Sequence, residues 1–357
     1  MRSKVSLASA AAAVNGFSVF SNADRNRRSV VIATTGGIWD RQMRQCFFDP
    51  FTEATGIEVA TVAGSDAGNF SRVGQMIRSG DITIDLYQTS EVHSSSKQHC
   101  LQAEDLADFG YPFRSDQDFL PSSFAASGVL SAYGSTLIAY DRTRFPEGGP
   151  RNWLDFWNLR DFPGPRALPD IDDPWRVLAA ALLADGVPAA TLFPLDLDRA
   201  FRKLDEIRPH VSLWWRTGDE SIDGFRDGTY AAGLIWQSRA AALRRAGAPL
   251  EWSHDQAFLV GDRWALVRGA PHKDNALRFL EFFLDCREGQ AHRCELTTCT
   301  PVRRSAAEQV SAVTRAMLPL SEQNAGKLVA PDVSWINANE ELLKESWGNW
   351  KSGIGAD

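Results

Sequence analysis

The chain has 357 residues and a net charge of −7, from 38 Lys and Arg against 45 Asp and Glu. Its length corresponds to about two domains, and its acidic balance argues against a nucleic-acid partner, because phosphate binding needs a concentrated basic field. Hydrophobic residues make up 44% of the sequence, enough for a large core, and no apolar run reaches the ~18 residues of a membrane helix. We therefore expect a soluble protein with two lobes or two domains.

The first 28 residues have the order of a secretory signal. Arg2 and Lys4 precede a short apolar stretch at residues 5–14, and the small residues at 21–23 fit the end of a cleavage site. Alanine and serine dominate the apolar stretch, so a tail with helical tendency is the alternative. We expect an N-terminal signal and export, and residues 1–28 are left out of the fold as a possible signal peptide or tail.

The cysteines are odd in number and do not resemble a disulfide framework in so long a chain. They are Cys46, Cys100, Cys286, Cys294 and Cys299. Cys294 and Cys299 are spaced C-x4-C, but a structural zinc site needs a second such pair of Cys or His ligands, and none follows. We expect no metal and no cofactor. Buried thiols, or one disulfide between Cys294 and Cys299, stay open as alternatives.

The first part of the chain alternates predicted strands with predicted helices. The strands are predicted at residues 30–34, 57–62 and 84–87, with an extended segment at 136–140. After the first strand, Trp39, Met43 and Phe47 recur at four-residue intervals, which is typical of an amphipathic helix. A further helix is predicted over residues 73–78. This alternation favours a mostly parallel sheet with helices on both faces.

A second α/β region follows the prolines at positions 146 and 150. Its helices are predicted at residues 153–159, 172–186, 197–207 and 275–286, and its strands at 166–168, 230–236 and 264–267. Asp172 and Asp173 before Pro174 indicate a helix start, and Gly186 indicates its end. The stretch from about 305 to 350 is predicted to be helical with few strands.

Three junctions between a strand and a helix carry small polar or acidic residues. They are Thr34-Thr-Gly-Gly37, Thr89-Ser90 and Asp172-Asp173. In open α/β sheets ligands bind beyond the carboxyl ends of the strands, and helix N-termini there suit a carboxylate or another anion. Helix capping explains each junction taken singly, whereas three together favour a shared cleft. The sequence lacks the G-x-S-x-G, P-loop, H-E-x-x-H and G-x-G-x-x-G patterns of common enzymes.

Two groups of tryptophans carry polar neighbours. Trp214 and Trp215 precede Arg216, and Trp236 precedes Arg239 by three residues. Successive residues of a strand point to opposite faces, so Trp214 and Trp215 do not share one core face, and we expect one of them to face water or a cleft. An aromatic face with polar neighbours suits a small ligand that carries a cation or an apolar stem.

Six segments, in order, resemble extracellular solute-binding proteins of ABC importers. They are F-T-E-A-T-G-I-E-V at 51–59, G-D-I-T-I-D-L-Y at 80–87, Y-G-S-T-L-I-A-Y at 133–140, N-W-L-D-F-W at 152–157, F-R-D-G-T-Y-A-A-G-L-I-W at 225–236 and T-C-T-P at 298–301. Each motif is modest, but the ordered set covers about residues 30–305. The chain is most similar to the spermidine/putrescine-binding group.

The resemblance implies an α/β chain with the two-lobe, type II fold of periplasmic binding proteins, each lobe a mostly parallel sheet flanked by helices. Lobe 1 would comprise residues 29–138 and 256–310, lobe 2 residues 139–255, and helices at 311–357 would pack on the lobes. The ligand would lie in the cleft, where hinge closure traps it. The implied partners are ABC permease subunits in the membrane, and the protein would be a periplasmic or extracytoplasmic monomer without catalytic activity.

Two arginines depart from the polyamine-binding pattern. By the resemblance, Asp173 and Asp262 match acidic positions of that group, but Arg176 and Arg239 fall where its members carry acids. Two guanidinium groups in a dry cleft would repel a polycation. We therefore hypothesise a ligand with a carboxylate, a zwitterion such as an amino acid, whose amine is held by the acids with Trp236.

The carboxylate of such a ligand needs a cationic clamp, for which Arg176, Arg216 and Arg239 are the candidates. A polyamine is the alternative ligand if these arginines turn away from the cleft. The alternative to a clamp is that the arginines pair internally. The acids available for internal pairing are Asp172, Asp219 and Asp223. The candidate ligand-contacting residues are Thr34, Thr35, Gly36, Trp39, Thr89, Ser90, Asp173, Trp175, Arg176, Trp215, Arg216, Trp236, Arg239, Asp262 and Thr298.

Two other functions are weighed against solute binding. A soluble α/β enzyme acting on a small carboxylate is the alternative, because a fold by itself does not fix a function. An iron-binding receptor of the same fold is disfavoured, because the chain has only five tyrosines and no two of them are adjacent.

Overall fold

The computed structural model of the chain describes residues 28–106, 109–112, 115–126, 128–171 and 173–353, with the backbone alone at 66 and 67. The predicted signal therefore lies outside the described residues, apart from its last position. Within these ranges no helix has the length and apolar character needed to cross a membrane.

The strands of the described chain form one continuous sheet. They are β1 (Ser29–Thr34), β2 (Glu58–Ala63), β3 (Leu86–Ser90), β4 (Phe124–Ala125), β5 (Gly128–Asp141), β6 (Arg166–Pro169), β7 (Val211–Trp215), β8 (Ala232–Trp236), β9 (Leu250–Leu266) and β10 (Thr300–Pro301). Their order is β2-β1-β3-β9-β5-β8-β6-β7, and the short β4 and β10 pair with β5.

Helices flank this sheet. They are α1 (Gly37–Met43), α2 (Asp49–Thr55), α3 (Asp66–Ser79), α4 (Glu91–Ser94), α5 (Lys97–Gln102), α6 (Trp153–Trp157), α7 (Trp175–Ala184), α8 (Leu197–Ile207), α9 (Gly218–Arg226), α10 (Gln237–Arg245), α11 (Lys273–Asp285), α12 (Arg287–Thr297), α13 (Arg304–Glu308), α14 (Ala312–Ala316), α15 (Val333–Ala338) and α16 (Glu340–Ser352). A π-helical segment, Arg44–Phe48, joins α1 to α2.

The sheet divides into two lobes. In the first lobe β1 pairs in parallel with β2 and β3, and in the second lobe β6 pairs in parallel with β7 and β8. The long strands β5 and β9 run antiparallel to each other along both lobes, and they border β3 on one side and β8 on the other. The predicted two-lobe α/β fold is confirmed, while the predicted residue boundaries of the lobes stay a prediction.

The ladder between β5 and β9 is interrupted within the second lobe. Its register shifts between Thr136 and Ile138, so that residues 254–257 of β9 bulge away from β5. Gln256 has a left-handed φ of 61°, and its carbonyl accepts a 3.0 Å hydrogen bond from the Trp153 indole. The residues that flank the bulge, Ser253 and Phe258, both pair with the stretch of β5 that borders β8, so the bulge belongs to the second lobe.

Each lobe has its own apolar core. In the first lobe the ring of Trp264 on β9 lies 5.5 Å from that of Phe279 on α11. In the second lobe Phe258, also on β9, packs at 5.5 Å from Trp153 and at 5.4 Å from Trp175. A single strand thus supplies a core aromatic residue to both lobes, and both residues follow the bulge in the chain.

The tryptophan pair of β7 follows the predicted alternation. Trp215 is fully buried, while Trp214 lies on the other face, where its ring is 5.8 Å from those of Trp347 and Trp350 on α16. The expectation that one of the pair faces water or a cleft is met only in part, because the C-terminal helix covers the half-buried Trp214.

Several local expectations need correction. The predicted strand at 84–87 is observed as Leu86–Ser90, because the fully buried Asp85 turns its carboxylate onto the backbone N–H groups of Val31 and His272. The helix predicted from 172 starts at Trp175 without a side-chain cap, and Asp172 lies outside the described residues. All five cysteines are free, so no Cys294–Cys299 disulfide is present.

His254 lies at the start of the bulge in β9 and is 9% exposed. Burial lowers the pKa of its imidazole to about 4, and the nearby Lys327 acts in the same direction. Asp255 and a hydrogen bond to the Met317 backbone oppose this shift. The ring is therefore neutral in the folded chain at ordinary pH.

We predict that His254 lowers the free energy of unfolding as the pH falls from about 6.5 to about 4. The unfolded chain takes up the proton at the higher pH and the folded chain only at the lower, so acid favours unfolding in this window. The difference between the two pKa values corresponds to roughly 3 kcal/mol in the free energy of unfolding. Urea unfolding at pH 7 and pH 4.5 measures it, and His254→Gln should reduce the difference. The exposed His210→Gln is the control; a pH slope that both variants leave unchanged would contradict the prediction.

Candidate functional site

In both lobes the carboxyl ends of the parallel strands lead directly into helices. In the first lobe α1 follows β1 and α4 follows β3, and in the second lobe α7, α9 and α10 follow β6, β7 and β8. Parallel strands place such junctions on one edge of each half-sheet, which is where α/β folds bind ligands.

The two lobes touch at the starts of α1 and α9. Gly36 and Gly37 have left-handed φ angles of 68° and 57°, and a Cβ atom at Gly37 would overlap the carboxylate of Asp219 in the second lobe. Glycine is required at position 37 on both counts. The next residue, Ile38, packs against the second-lobe cluster that contains Trp215. This edge of the first lobe is thus in direct contact with the second.

Asp219 projects from the first turn of α9. A capping box fixes that turn, with the Thr217 hydroxyl on the Glu220 N–H at 3.2 Å and the Glu220 carboxylate on the Thr217 N–H. Oδ1 of Asp219 lies 3.4 Å from Nε of Arg239, and the two side chains are 46% and 3% exposed. The ion pair therefore joins a carboxylate at the edge of the interlobe contact to a buried guanidinium.

Arg239 lies against an aromatic ring and a glycine, in addition to its ion-pair partner Asp219. Its guanidinium carbon lies 5.7 Å from the ring centroid of Trp236, and a Cβ atom at Gly218 would lie 2.6 Å from its Nε. The Trp236 ring meets that of Trp215 edge-on at 5.3 Å. A buried guanidinium needs such compensation, from charge and from an aromatic face.

Asp262 is a further residue of the predicted site. It lies on β9 opposite Ser90. Burial raises the pKa of the Cys299 thiol, and the charges of Asp262 and Arg239 influence that pKa in opposite directions, so both lie within electrostatic reach of the thiol. The structure thus brings Trp236 and Arg239 of the predicted site together, and Asp262 is linked to Arg239 only through the influence of both charges on Cys299.

The other two candidate arginines have acidic partners elsewhere. Arg176 forms an ion pair with Asp173, with side chains only 5% and 10% exposed, and its guanidinium lies 4.6 Å from the fully buried Trp175 ring. Arg216 is 73% exposed and lies 3.5 Å from Asp170. All three arginines are therefore paired within the chain, although only Arg216 is open to water.

The candidates on the first-lobe junctions make local contacts. The Ser90 hydroxyl accepts a hydrogen bond from the first turn of α4, and the Thr34 hydroxyl accepts one from the Gly36 N–H at 3.2 Å. Trp39 packs into the first-lobe core at 6.0 Å from Trp264. Helix capping, junction geometry and core packing account for these contacts.

The remaining candidate residues also lie within the folded chain. Thr89 is buried in β3 opposite Arg263 of β9, and Thr35 is half-buried. The Thr298 hydroxyl accepts a 2.9 Å hydrogen bond from the side chain of Gln237. For each predicted residue, contact with a ligand stays a prediction.

Three residues at the interlobe contact were not among the sequence candidates: Gly37, Asp219 and Gln237. The capping box from Thr217 to Glu220, which directly follows the tryptophan pair, is a signal that would have placed Asp219 on a helix start. No local pattern marks Gln237, because its partners are distant in sequence. In the part of the chain that the structure describes, no group of His, Cys, Asp and Glu side chains could hold a metal ion.

Comparison with known proteins identifies relatives. The family model for bacterial extracellular solute-binding proteins matches residues 47–318. The gamma-aminobutyric acid (GABA)-binding protein of Pseudomonas aeruginosa is 29% identical over 335 residues, which cover 92% of each chain.

Solved structures share the fold. AttC of Agrobacterium tumefaciens C58, in an open unliganded conformation, is 48% identical with a TM-score of 0.68, over 91% of this chain and 99% of its own. MotA of A. tumefaciens B6, in complex with glucopine, is 25% identical with a TM-score of 0.81, over 90% of this chain and 99% of its own. The matched family segment covers most of the sequence and spans both lobes. The chain therefore belongs to the bacterial extracellular solute-binding proteins, which capture small solutes for ABC importers.

Proposed function

We propose that the chain captures a small zwitterionic solute of the amino-acid type between its lobes. As a member of its family it is a solute-binding component of an ABC importer and works with a membrane permease. The observation that carries the solute class is the buried Arg239, which is paired with Asp219 where the lobes meet. We further infer that the chain is an exported monomer and releases its solute chemically unchanged.

A carboxylate is the group that best complements Arg239. The guanidinium has five N–H donors in a planar fork and forms paired hydrogen bonds with carboxylates. Because the side chain is 3% exposed, water hydrates it little and Asp219 compensates its charge. A solute carboxylate would share the cation with Asp219, whereas a polyamine would place further ammonium groups beside the guanidinium.

The amine of a zwitterion also has suitable neighbours. Asp262 supplies an acid that, like Arg239, influences the Cys299 thiol, and the half-buried Trp236 presents an aromatic ring that attracts cations. Acid, ring and guanidinium together make a site of mixed charge, which matches a solute with one positive and one negative end. The similarity to a GABA-binding protein supports the same class.

The similarity to solved structures supports capture by closure. AttC is the more identical of the two compared proteins, yet its open unliganded structure superposes less well than the glucopine complex of MotA, with TM-scores of 0.68 and 0.81. Higher identity ordinarily gives closer superposition, and a more closed arrangement of the lobes in this chain than in AttC would explain the reversal. The contact of Gly37 with Asp219 is what a closed arrangement provides.

A solute panel tests the proposal. We expect saturable thermal stabilisation by GABA or another amino acid, or by glucopine, following RT ln(1 + [L]/Kd), and little by putrescine or spermidine. Calorimetry gives the Kd, and mass spectrometry of the released solute checks that it is unchanged. Stabilisation by polyamines alone would refute the zwitterion, and recovery of a reaction product would favour the alternative enzyme acting on a small carboxylate.

We predict that Arg239→Gln weakens binding of the best solute of the panel roughly 10- to 100-fold, because a charge-assisted hydrogen bond contributes about 1.5–3 kcal/mol. Titration calorimetry measures the Kd, and circular dichroism checks the fold. Arg216→Gln is the matched control, since Arg216 is 73% exposed and pairs outside the interlobe contact, and its Kd should stay unchanged. Equal Kd values for Arg239→Gln and the unmodified chain would refute a carboxylate clamp at this position.

We predict that Gly37→Ala hinders closure, because its methyl group would overlap the Asp219 carboxylate. The Kd should rise and solute should no longer reduce the radius of gyration in solution scattering. Gly56→Ala is the control: it has a similar φ of 70° with no atom near the added methyl group, so it carries the same backbone strain of about 1–2 kcal/mol without the overlap. The same loss of affinity in both variants would show that strain alone, and not the interlobe contact, is responsible.

A further inference from the structure

Gln237 has an almost fully buried side chain, 1% exposed, whose amide is completely engaged. Its Oε1 accepts a 2.6 Å hydrogen bond from the Ser135 hydroxyl. Its Nε2 donates to the carbonyl and the hydroxyl of Thr298, both at 2.9 Å, and to the carbonyl of Met317 at 2.8 Å. These partners fix the orientation of the amide, because the reverse orientation would place its oxygen against two carbonyl oxygens.

The partners of Gln237 come from separate parts of the fold. Gln237 opens α10 in the second lobe, and Ser135 lies on the long β5. Thr298 follows α12 and leads into β10, which pairs with the first-lobe end of β5 at Tyr133. Met317 ends α14, in the C-terminal part of the chain. One amide therefore ties the second lobe to the first and to the segment that crosses the hinge.

Thr298 is held in an unfavourable backbone conformation. Its φ of 54° and ψ of 21° are left-handed, a region that a β-branched residue rarely adopts. Its hydroxyl donates to the Thr297 carbonyl at 2.7 Å and accepts from Gln237. Strain of this kind persists where the surroundings hold the residue in place, and it is concentrated at sites that move or bind.

We propose that Gln237 is a positioning residue for solute capture, whose bonds to Thr298 and Met317 set Trp236 and Arg239 at the interlobe contact. The inference rests on the proposed function and concerns the same site. Trp236 directly precedes Gln237 and Arg239 follows two residues later, so a displacement of the amide moves both. Because its bonds to Thr298 join one lobe to the other, the same contact favours the closed arrangement.

Two substitutions and a matched control test this role. Gln237→Leu keeps the size and removes every amide bond, and Thr298→Val keeps the branched shape and removes only the hydroxyl. We expect the Kd for GABA to rise roughly tenfold or more in the first and about threefold in the second. In Gln237→Leu, GABA should no longer reduce the radius of gyration measured by solution scattering.

Gln290→Leu is the control for loss of a buried amide. Gln290 is 2% exposed, donates to the Phe283 carbonyl at 3.0 Å and accepts from the Arg303 N–H at 3.1 Å, all outside the second lobe. We expect this variant to lower the melting temperature and leave the Kd unchanged. An equal rise in Kd in Gln290→Leu, or an unchanged Kd in Gln237→Leu, would overturn the positioning role.

The remaining outcomes are also decisive. If Gln237→Leu does not fold, Thr298→Val decides by solution scattering without solute, a readout that does not depend on contact between Thr298 and the solute. A larger radius of gyration than in the unmodified chain supports the role, and an equal radius overturns it. If the unmodified chain does not bind GABA, the failure belongs to the choice of solute, and scattering without solute decides. A larger radius of gyration in Gln237→Leu than in the unmodified chain then supports the role, and equal radii overturn it.

Discussion

The antiparallel pair of β5 and β9 is the constraint on which the rest of the structure depends. Both strands run through both lobes, so their hydrogen bonds belong to one continuous sheet, and the lobes cannot separate without breaking it. Relative motion of the lobes therefore requires this pair of strands to bend where it passes between them. Such a hinge lets the strand-to-helix junctions of the two lobes approach each other repeatedly along the same path.

Buried charge is the second organising feature. Arg176 and Arg239 are both nearly inaccessible, and each has an acid of its own, Asp173 and Asp219. This internal pairing lets the chain fold without an uncompensated cation. Under the proposed function, a solute carboxylate would compete with an existing partner, which would limit affinity and ease release.

The sequence predicted an element correctly where residues within that element determine its position. The helix predicted at 197–207 is observed as Leu197–Ile207, with Asp196 as its cap. It failed where the cause lies elsewhere in the chain: the covering of Trp214 by α16 joins residues more than 130 positions apart. The pairing of Arg239 with Asp219 and the contacts of Gln237 likewise depend on how separate elements meet. Periodicity and capping patterns carry no information on such contacts, so the sequence offered Asp219 only as one of three acids with which the arginines could pair.

The two ends of the described chain lie on different lobes. β1 begins at Ser29 in the first lobe, and α16 ends at Ser352, anchored on the second lobe by the rings of Trp347 and Trp350 against Trp214. A donor and an acceptor fluorophore fused to these ends would thus be carried by opposite sides of the hinge. Energy transfer between them would register each opening and closing, so the native connectivity already supplies the geometry of a genetically encoded biosensor.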